Sequence, residues 1–151
     1  MSNFDYDKSK KIYFQLLGKE IKSMMNEKGI KQNQIGEGEE QLPESTVNQI
    51  LQGKRNLTYN SLVAFQVTLG METPKNVCFP SQKFCSELIT KILKEVFQIQ
   101  PTSTTKINDF VDKYSDKIFN NMTDYPESSK ETFDYFYNSF IIRIMRNYFG
   151  D

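Results

Sequence analysis

The sequence predicts an all-α protein with an N-terminal helical bundle and a C-terminal, three-helix, aromatic-rich part. Three observations predict it. Apolar residues recur at spacings of three and four through nearly every segment between turn residues. No stretch of any length alternates apolar and polar residues as a half-buried strand would, and there is no internal repeat or low-complexity tract. Glycines and prolines fall where helices of ordinary length would start and stop. A chain of 151 residues makes one ordinary domain or two very small ones, so few elements share the core.

From Ser9 to Glu27, Tyr13, Leu16, Leu17, Ile21, Met24 and Met25 form one apolar stripe, and Gly29 follows as a terminator. This is the first expected helix. A short second one runs from Gln32 to about Gly38 with Ile35 inward, and Gly36 beside it would allow a neighbouring helix close. Its propensity is weak, so it must lean on tertiary packing. Pro43 can open a third helix, because its missing N–H has no partner in a first turn, and Gly53 can close it in the left-handed conformation. Val47, Ile50 and Leu51 give that helix a narrow inward stripe. Thr58 would cap a fourth helix with Leu62, Phe65 and Leu69 inward and Gly70 at its end. The stretch from Met71 to Ser81, with Pro74 and Pro80, begins with a short fifth helix and then reads as a connection.

Beyond it, Phe84, Leu88, Ile92, Leu93 and Val96 mark a helix from Gln82 to Gln98, and Ile107, Phe110, Val111, Tyr114, Ile118 and Met122 mark another from Thr105 to Met122. Ser128 and Glu131 form an S-x-x-E capping box that opens a last helix carrying Phe133, Phe136, Tyr137, Phe140, Ile141, Ile144, Met145 and Tyr148. The expected layout is a domain over 14–73, a linker over 74–81 and a helical domain over 82–151.

Composition narrows the function classes. Nineteen basic residues balance nineteen acidic ones, so there is no global positive field and any nucleic-acid binding must be local. The chain has no histidine, which removes the usual general base. With Cys78 and Cys85 as the sole thiols, a zinc site of the Cys/His kind is not expected, nor is a disulfide scaffold. No G-x-S-x-G, P-loop or H-E-x-x-H pattern occurs, so neither an enzyme nor a cofactor is expected. No apolar run approaches the roughly 20 residues of a membrane span, and the N-terminus has no apolar signal core, which points to a cytoplasmic protein without membrane contact.

The stretch from Leu17 to Met71, a little over a third of the chain, resembles the helix-turn-helix domain of the lambda-repressor-like (Cro/CI, XRE-type) regulators. The likeness is in order and spacing. It runs through Leu17-Gly18 and Ile21, Gly29-Ile30-Lys31-Gln32, Ser45-Thr46-Val47, Gly53-Lys54-Arg55, and Leu62 to Leu69-Gly70-Met71. The resemblance implies a sequence-specific transcription regulator of the repressor type, bound to double-stranded DNA as a homodimer with its third helix in the major groove. Ser45, Thr46, Asn48 and Gln49 would then meet base edges, since amides form bidentate bonds to adenine. Lys31, Gln32, Lys54, Arg55 and Asn56 would flank them as phosphate contacts.

Some features depart from the family pattern. Gly36 stands where alanine is usual, Pro43 where a serine-type cap is usual and Gln66 where a small residue is usual, and the turn at Gly38-Glu39-Glu40-Gln41 is one residue longer. Glu37, Glu39, Glu40 and Glu44 gather around that turn and would repel a phosphate backbone unless they point away from it. A second reading therefore stands beside the first: a helix-turn-helix scaffold that holds a protein partner, such as an antirepressor from a mobile element. An antitoxin is a third, weaker reading. The C-terminal half resembles no family. Its aromatic helix is expected to offer Phe136, Tyr137, Phe140, Ile144 and Tyr148 to a second copy or another partner, with an intramolecular core as the plain alternative.

Overall fold

The structure, a computed structural model, describes residues 3–99 and 105–149. Among these the protein is all-α, with one isolated antiparallel bridge between Thr58 and Ser128 in place of any sheet. The side chains of Ile107, Phe110, Tyr114, Ile144 and Tyr148 lie outside the described set.

Helix α1 spans Asn3–Lys28, starting well before the expected Ser9. Its extra turns are held by tertiary contacts that periodicity does not reveal. The Tyr6 ring lies 5.9 Å from Phe133 and edge-on to Tyr137 at 5.3 Å, and its hydroxyl donates to Asp134. At the other end Gly29 takes φ +65°, and Ile30 N–H donates back to the Met25 carbonyl at 2.9 Å.

The expected second helix does not form. In its place are two single 3-10 turns, Gln32–Gln34 and Gly38–Glu40, separated by Gly36 at φ +83°. That angle breaks an α-helix, and a Cβ at Gly36 would sit 2.4 Å from the Glu40 carbonyl oxygen. Gly36 thus serves a tight turn and not the approach of a neighbouring helix. The loop is anchored instead by fully buried Ile35, by a bond from Leu42 N–H to the Ile35 carbonyl at 3.0 Å, and by Gly36 N–H donating to Thr68 Oγ1 at 2.9 Å.

Helix α2, Glu44–Leu51, follows Pro43 and buries Val47, Ile50 and Leu51, as its stripe predicts. Gly53 takes φ +74°, and a Cβ there would meet the Gln15 backbone at 2.7 Å. A Cβ on Gly18 would meet the Leu51 carbonyl oxygen at 2.4 Å, so α1 and the end of α2 touch backbone to backbone. Helix α3, Tyr59–Leu69, buries Leu62, Phe65 and Leu69 and ends at Gly70 with φ +69°. Thr58 stands at its N-cap, its hydroxyl donating to Ser61 Oγ at 3.3 Å.

The stretch 74–81 lacks the exposure of a connection. It contains the single-turn helix α4, Lys75–Cys78, and Val77, Cys78 and Phe79 are all fully buried. Helix α5, Gln82–Glu95, starts at Ser81, whose hydroxyl accepts from Phe84 N–H at 3.0 Å, and it buries Phe84, Cys85, Leu88, Ile89, Ile92 and Leu93. Helix α6 spans Thr105–Asn121. Helix α7, Ser129–Phe136, starts at the expected Ser128 cap, continues through a π-helical segment at Tyr137–Ile141, and runs into α8, Ile142–Phe149.

One apolar cluster joins both halves of the chain. Tyr13 sits in it, stacked on Phe79 at 5.2 Å and on Phe133 at 5.1 Å, with its hydroxyl donating to the Cys78 carbonyl at 2.8 Å. No helix among the described residues is long and apolar enough to cross a membrane.

Candidate nucleic-acid interface

An eight-residue helix with one buried stripe presents the rest of its circumference outward. On α2 that outward surface consists of Glu44, Ser45, Asn48, Gln49 and Gln52, all exposed, with Thr46 half-buried at its edge. The four residues expected to meet bases are therefore together, although Thr46 is less available than the other three. Their groups are neutral hydrogen-bonding amides and hydroxyls, suited to reading base edges but adding nothing to long-range attraction.

Charge enters after the helix. Lys54 and Arg55 are exposed in the turn that follows Gly53, and Arg55 Nη1 donates to Gln49 Oε1 at 3.0 Å. That bond ties a cation of the turn to an amide of the helix. Lys31 is exposed, with its backbone N–H donating to Gln34 Oε1 at 2.7 Å. Gln32 is half-buried at the start of a 3-10 turn, so the anion-favouring dipole expected of a second helix is missing there.

Asn56 is placed differently from the other expected phosphate contacts. Its Oδ1 accepts from Ser129 Oγ at 2.7 Å and from Lys130 N–H at 2.8 Å, at the first turn of α7. Its oxygen is committed inward.

Residues of α1 that the sequence reading did not single out join the site. Gln15 and Lys19, with Leu51, Gln52 and Lys54, line an open groove of about 470 Å³. Two lysines and two carboxamides face one another there without a lining carboxylate, and neither Lys19 nor Lys54 has an ion-pair partner among the described residues. The signal that could have found them is the pair of glycines: Gly18 and Gly53 bring α1 and the end of α2 into contact, which carries the residues beside them along.

Glu37, Glu39, Glu40 and Glu44 are all exposed, on the 3-10 turn and the opening of α2. Glu44, in the first turn of α2, lies at the end that favours a negative charge.

At the C-terminal end, Phe136, Tyr137 and Phe140 are buried at 0%, 4% and 1% exposure. They face the chain's own core and do not form an outer surface for a second copy. Phe136 packs against Phe79 at 5.5 Å and stacks on Phe140 at 6.0 Å, which uses the apolar area that a dimer seam would have needed. The side chains of Ile144 and Tyr148 lie outside the described set. Among the described residues the large apolar side chains left exposed are Phe4, Tyr59, Val67, Tyr125 and Tyr135, scattered over α1, α3, a loop and α7.

Burial pushes both Cys78 and Cys85 thiols up to about 12, so neither is a ready nucleophile or ligand. Among the described residues no three or more Cys, Asp or Glu side chains gather as a metal site would need. Neither the family models, nor the curated proteins, nor the solved structures contain a match to this chain.

Proposed function

We propose that the protein binds double-stranded DNA sequence-specifically through α2, as a transcription regulator of the repressor type. The observation that carries this reading is the outward face of α2, where Ser45, Asn48 and Gln49 stand exposed together beside the Lys54-Arg55 turn. Amides that can read a base edge are thereby set next to cations that can hold the adjoining phosphates. A palindromic site would be met by two copies. Among the described residues, the exposed apolar side chains on α1, α3, α7 and the loop at Tyr125 are available for such pairing, since Phe136, Tyr137 and Phe140 are buried in the core.

The test is fluorescence anisotropy of the whole chain with duplexes selected from a random-sequence pool and with unselected duplex, across a salt series. Preference for the selected duplex, weakening as salt rises, is the expected result. In the double variant Asn48→Ala, Gln49→Ala the preference should shrink by about 1–3 kcal/mol per lost bidentate contact while the fold stays intact. Equal affinity of the unmodified chain for selected and unselected DNA would sink the reading.

A second reading is favoured by one structural feature: the second of the two 3-10 turns, with its N-cap, presents Glu37, Glu39 and Glu40 outward with no cation paired to them among the described residues. Such a turn suits a basic protein partner. Reversing Glu39 and Glu40 to lysine separates the two, because a DNA binder gains affinity from the change and an acid-held protein complex loses it.

A further inference from the structure

The turn that follows α2 is fastened to the C-terminal half of the chain. Asn56 Oδ1 accepts from Ser129 Oγ and from Lys130 N–H at 2.7 and 2.8 Å. Leu57 N–H donates to the same Ser129 Oγ at 2.9 Å, and Ser129 N–H returns a bond to the Leu57 carbonyl at 3.0 Å. Four hydrogen bonds thus meet at two consecutive residues on each side. Ser129 is fully buried and Leu57 is 1% exposed, so the two bonds between them are shielded from water and costly to leave unmade, while the Asn56 bonds lie at the edge of the clamp, half-buried to Ser129 and exposed to Lys130. From this clamp the chain leads directly to Arg55, and Arg55 Nη1 reaches Gln49 Oε1 on the outward face of α2.

We infer that Asn56 is a positioning residue: it locks the Lys54-Arg55 turn to the first turn of α7, so that the C-terminal half of the chain sets the geometry of the DNA-facing surface. The inference rests on the DNA-binding reading above. It replaces a direct phosphate contact for Asn56 with an indirect role, and it gives the C-terminal half a part in recognition without any contact to DNA. The physical ground is preorganisation: a turn that wanders must be ordered on binding, and that cost is removed when the turn is held beforehand.

Ser129→Ala is the decisive variant, because a side chain with no exposed surface cannot touch DNA. It removes the Oγ that donates to Asn56 and accepts from Leu57. Affinity for a duplex selected by the unmodified chain is measured for Ser129→Ala and Asn56→Ala, each with Arg55 intact and with Arg55→Ala. Thermal melting of every variant reports whether it is folded, and Asn56→Asp keeps both acceptor bonds as a second probe. We expect Ser129→Ala and Asn56→Ala each to weaken binding about tenfold with Arg55 present. In the Arg55→Ala background the same changes should alter binding by less than about twofold, since Arg55, the cation that links the clamp to α2, is the group through which they act.

Additive losses in the two backgrounds overturn the inference, as does unchanged binding by a folded Ser129→Ala chain. Should both alanine variants fail to melt cooperatively, Asn56→Asp decides. Because that variant keeps the clamp, binding within about twofold of the unmodified chain means positioning, and weaker binding means a direct contact with phosphate, which the new carboxylate repels. If the unmodified chain selects no duplex at all, it is the DNA-binding reading that falls.

Discussion

At the scale of single residues, burial governs the chemistry of the two thiols and of Tyr13. Cys78 and Cys85 are fully buried, and burial raises both thiols from 9.0 to about 12; Tyr13 is raised well above its ordinary 10.0 by the same cause. These groups fold as neutral species, so their contribution to stability is complete below the pKa they have in the unfolded chain. It is lost as pH climbs from about 9 toward 12, where the unfolded chain releases protons that the folded chain retains. Urea midpoints should therefore fall between pH 9 and 11, and more shallowly in Cys85→Ala. A midpoint that holds steady over that range would show that the thiols are not held neutral by the fold. The same burial keeps both cysteines unreactive toward alkylating reagents at neutral pH until the chain is denatured.

At the scale of elements, helices that carry their own punctuation were legible in the sequence, and segments that depend on distant neighbours were not. The α7 start is the clearest success. Ser128 accepts from Glu131 N–H at 3.0 Å, the bond that an S-x-x-E pattern predicts. Ser128→Ala should destabilise the protein by about 1 kcal/mol, read as a lowered melting temperature, because that amide then has no partner. No change in melting would mean that the end of the helix is held by the Thr58 bridge and the Asn56 clamp alone. The inward stripe of α2, the left-handed Gly53 and the helix end at Gly70 were equally readable, because each is a local rule. The second helix was misread because Ile35 does point inward, but Gly36 at φ +83° and Gly38 at φ +58° turn the backbone away from a helical path. In the candidate site, the outward amides of α2 followed from helical periodicity, and the Lys54-Arg55 turn from the resemblance. Lys19 and Gln15 did not, nor did the inward bonds of Asn56, since those placements arise from packing between elements far apart in the chain.

At the scale of the whole molecule, the question is whether the N-terminal part stands alone, as its resemblance to a small binding domain implies. The packing argues that it does not. Tyr13 of α1 lies between Phe79 and Phe133, and α1 also contacts α7 through Tyr6, whose hydroxyl donates to Asp134 beside Lys130. Phe79 in turn packs on Phe84 at 5.6 Å and on Phe136 at 5.5 Å. A fragment ending at residue 81 would keep α1 to α4 but uncover one side of Tyr13 and Phe79 and release the clamp at Asn56. Truncating one large aromatic side chain in a core costs about 3–5 kcal/mol, and a whole domain is stable by only about 5–15 kcal/mol. Stripping Phe84, Phe133 and Phe136 from the cluster at once removes about as much as a whole domain's stability, about 9–15 kcal/mol. The fragment 1–81 is therefore expected to show helical circular dichroism but no cooperative thermal transition, while the full chain melts in one step. A sharp transition in the fragment would mean that Ile12, Leu17, Ile21, Val47, Ile50, Leu62 and Phe65 suffice as a core. The C-terminal half would then be an addition to a self-sufficient binding domain, free to act on it from outside.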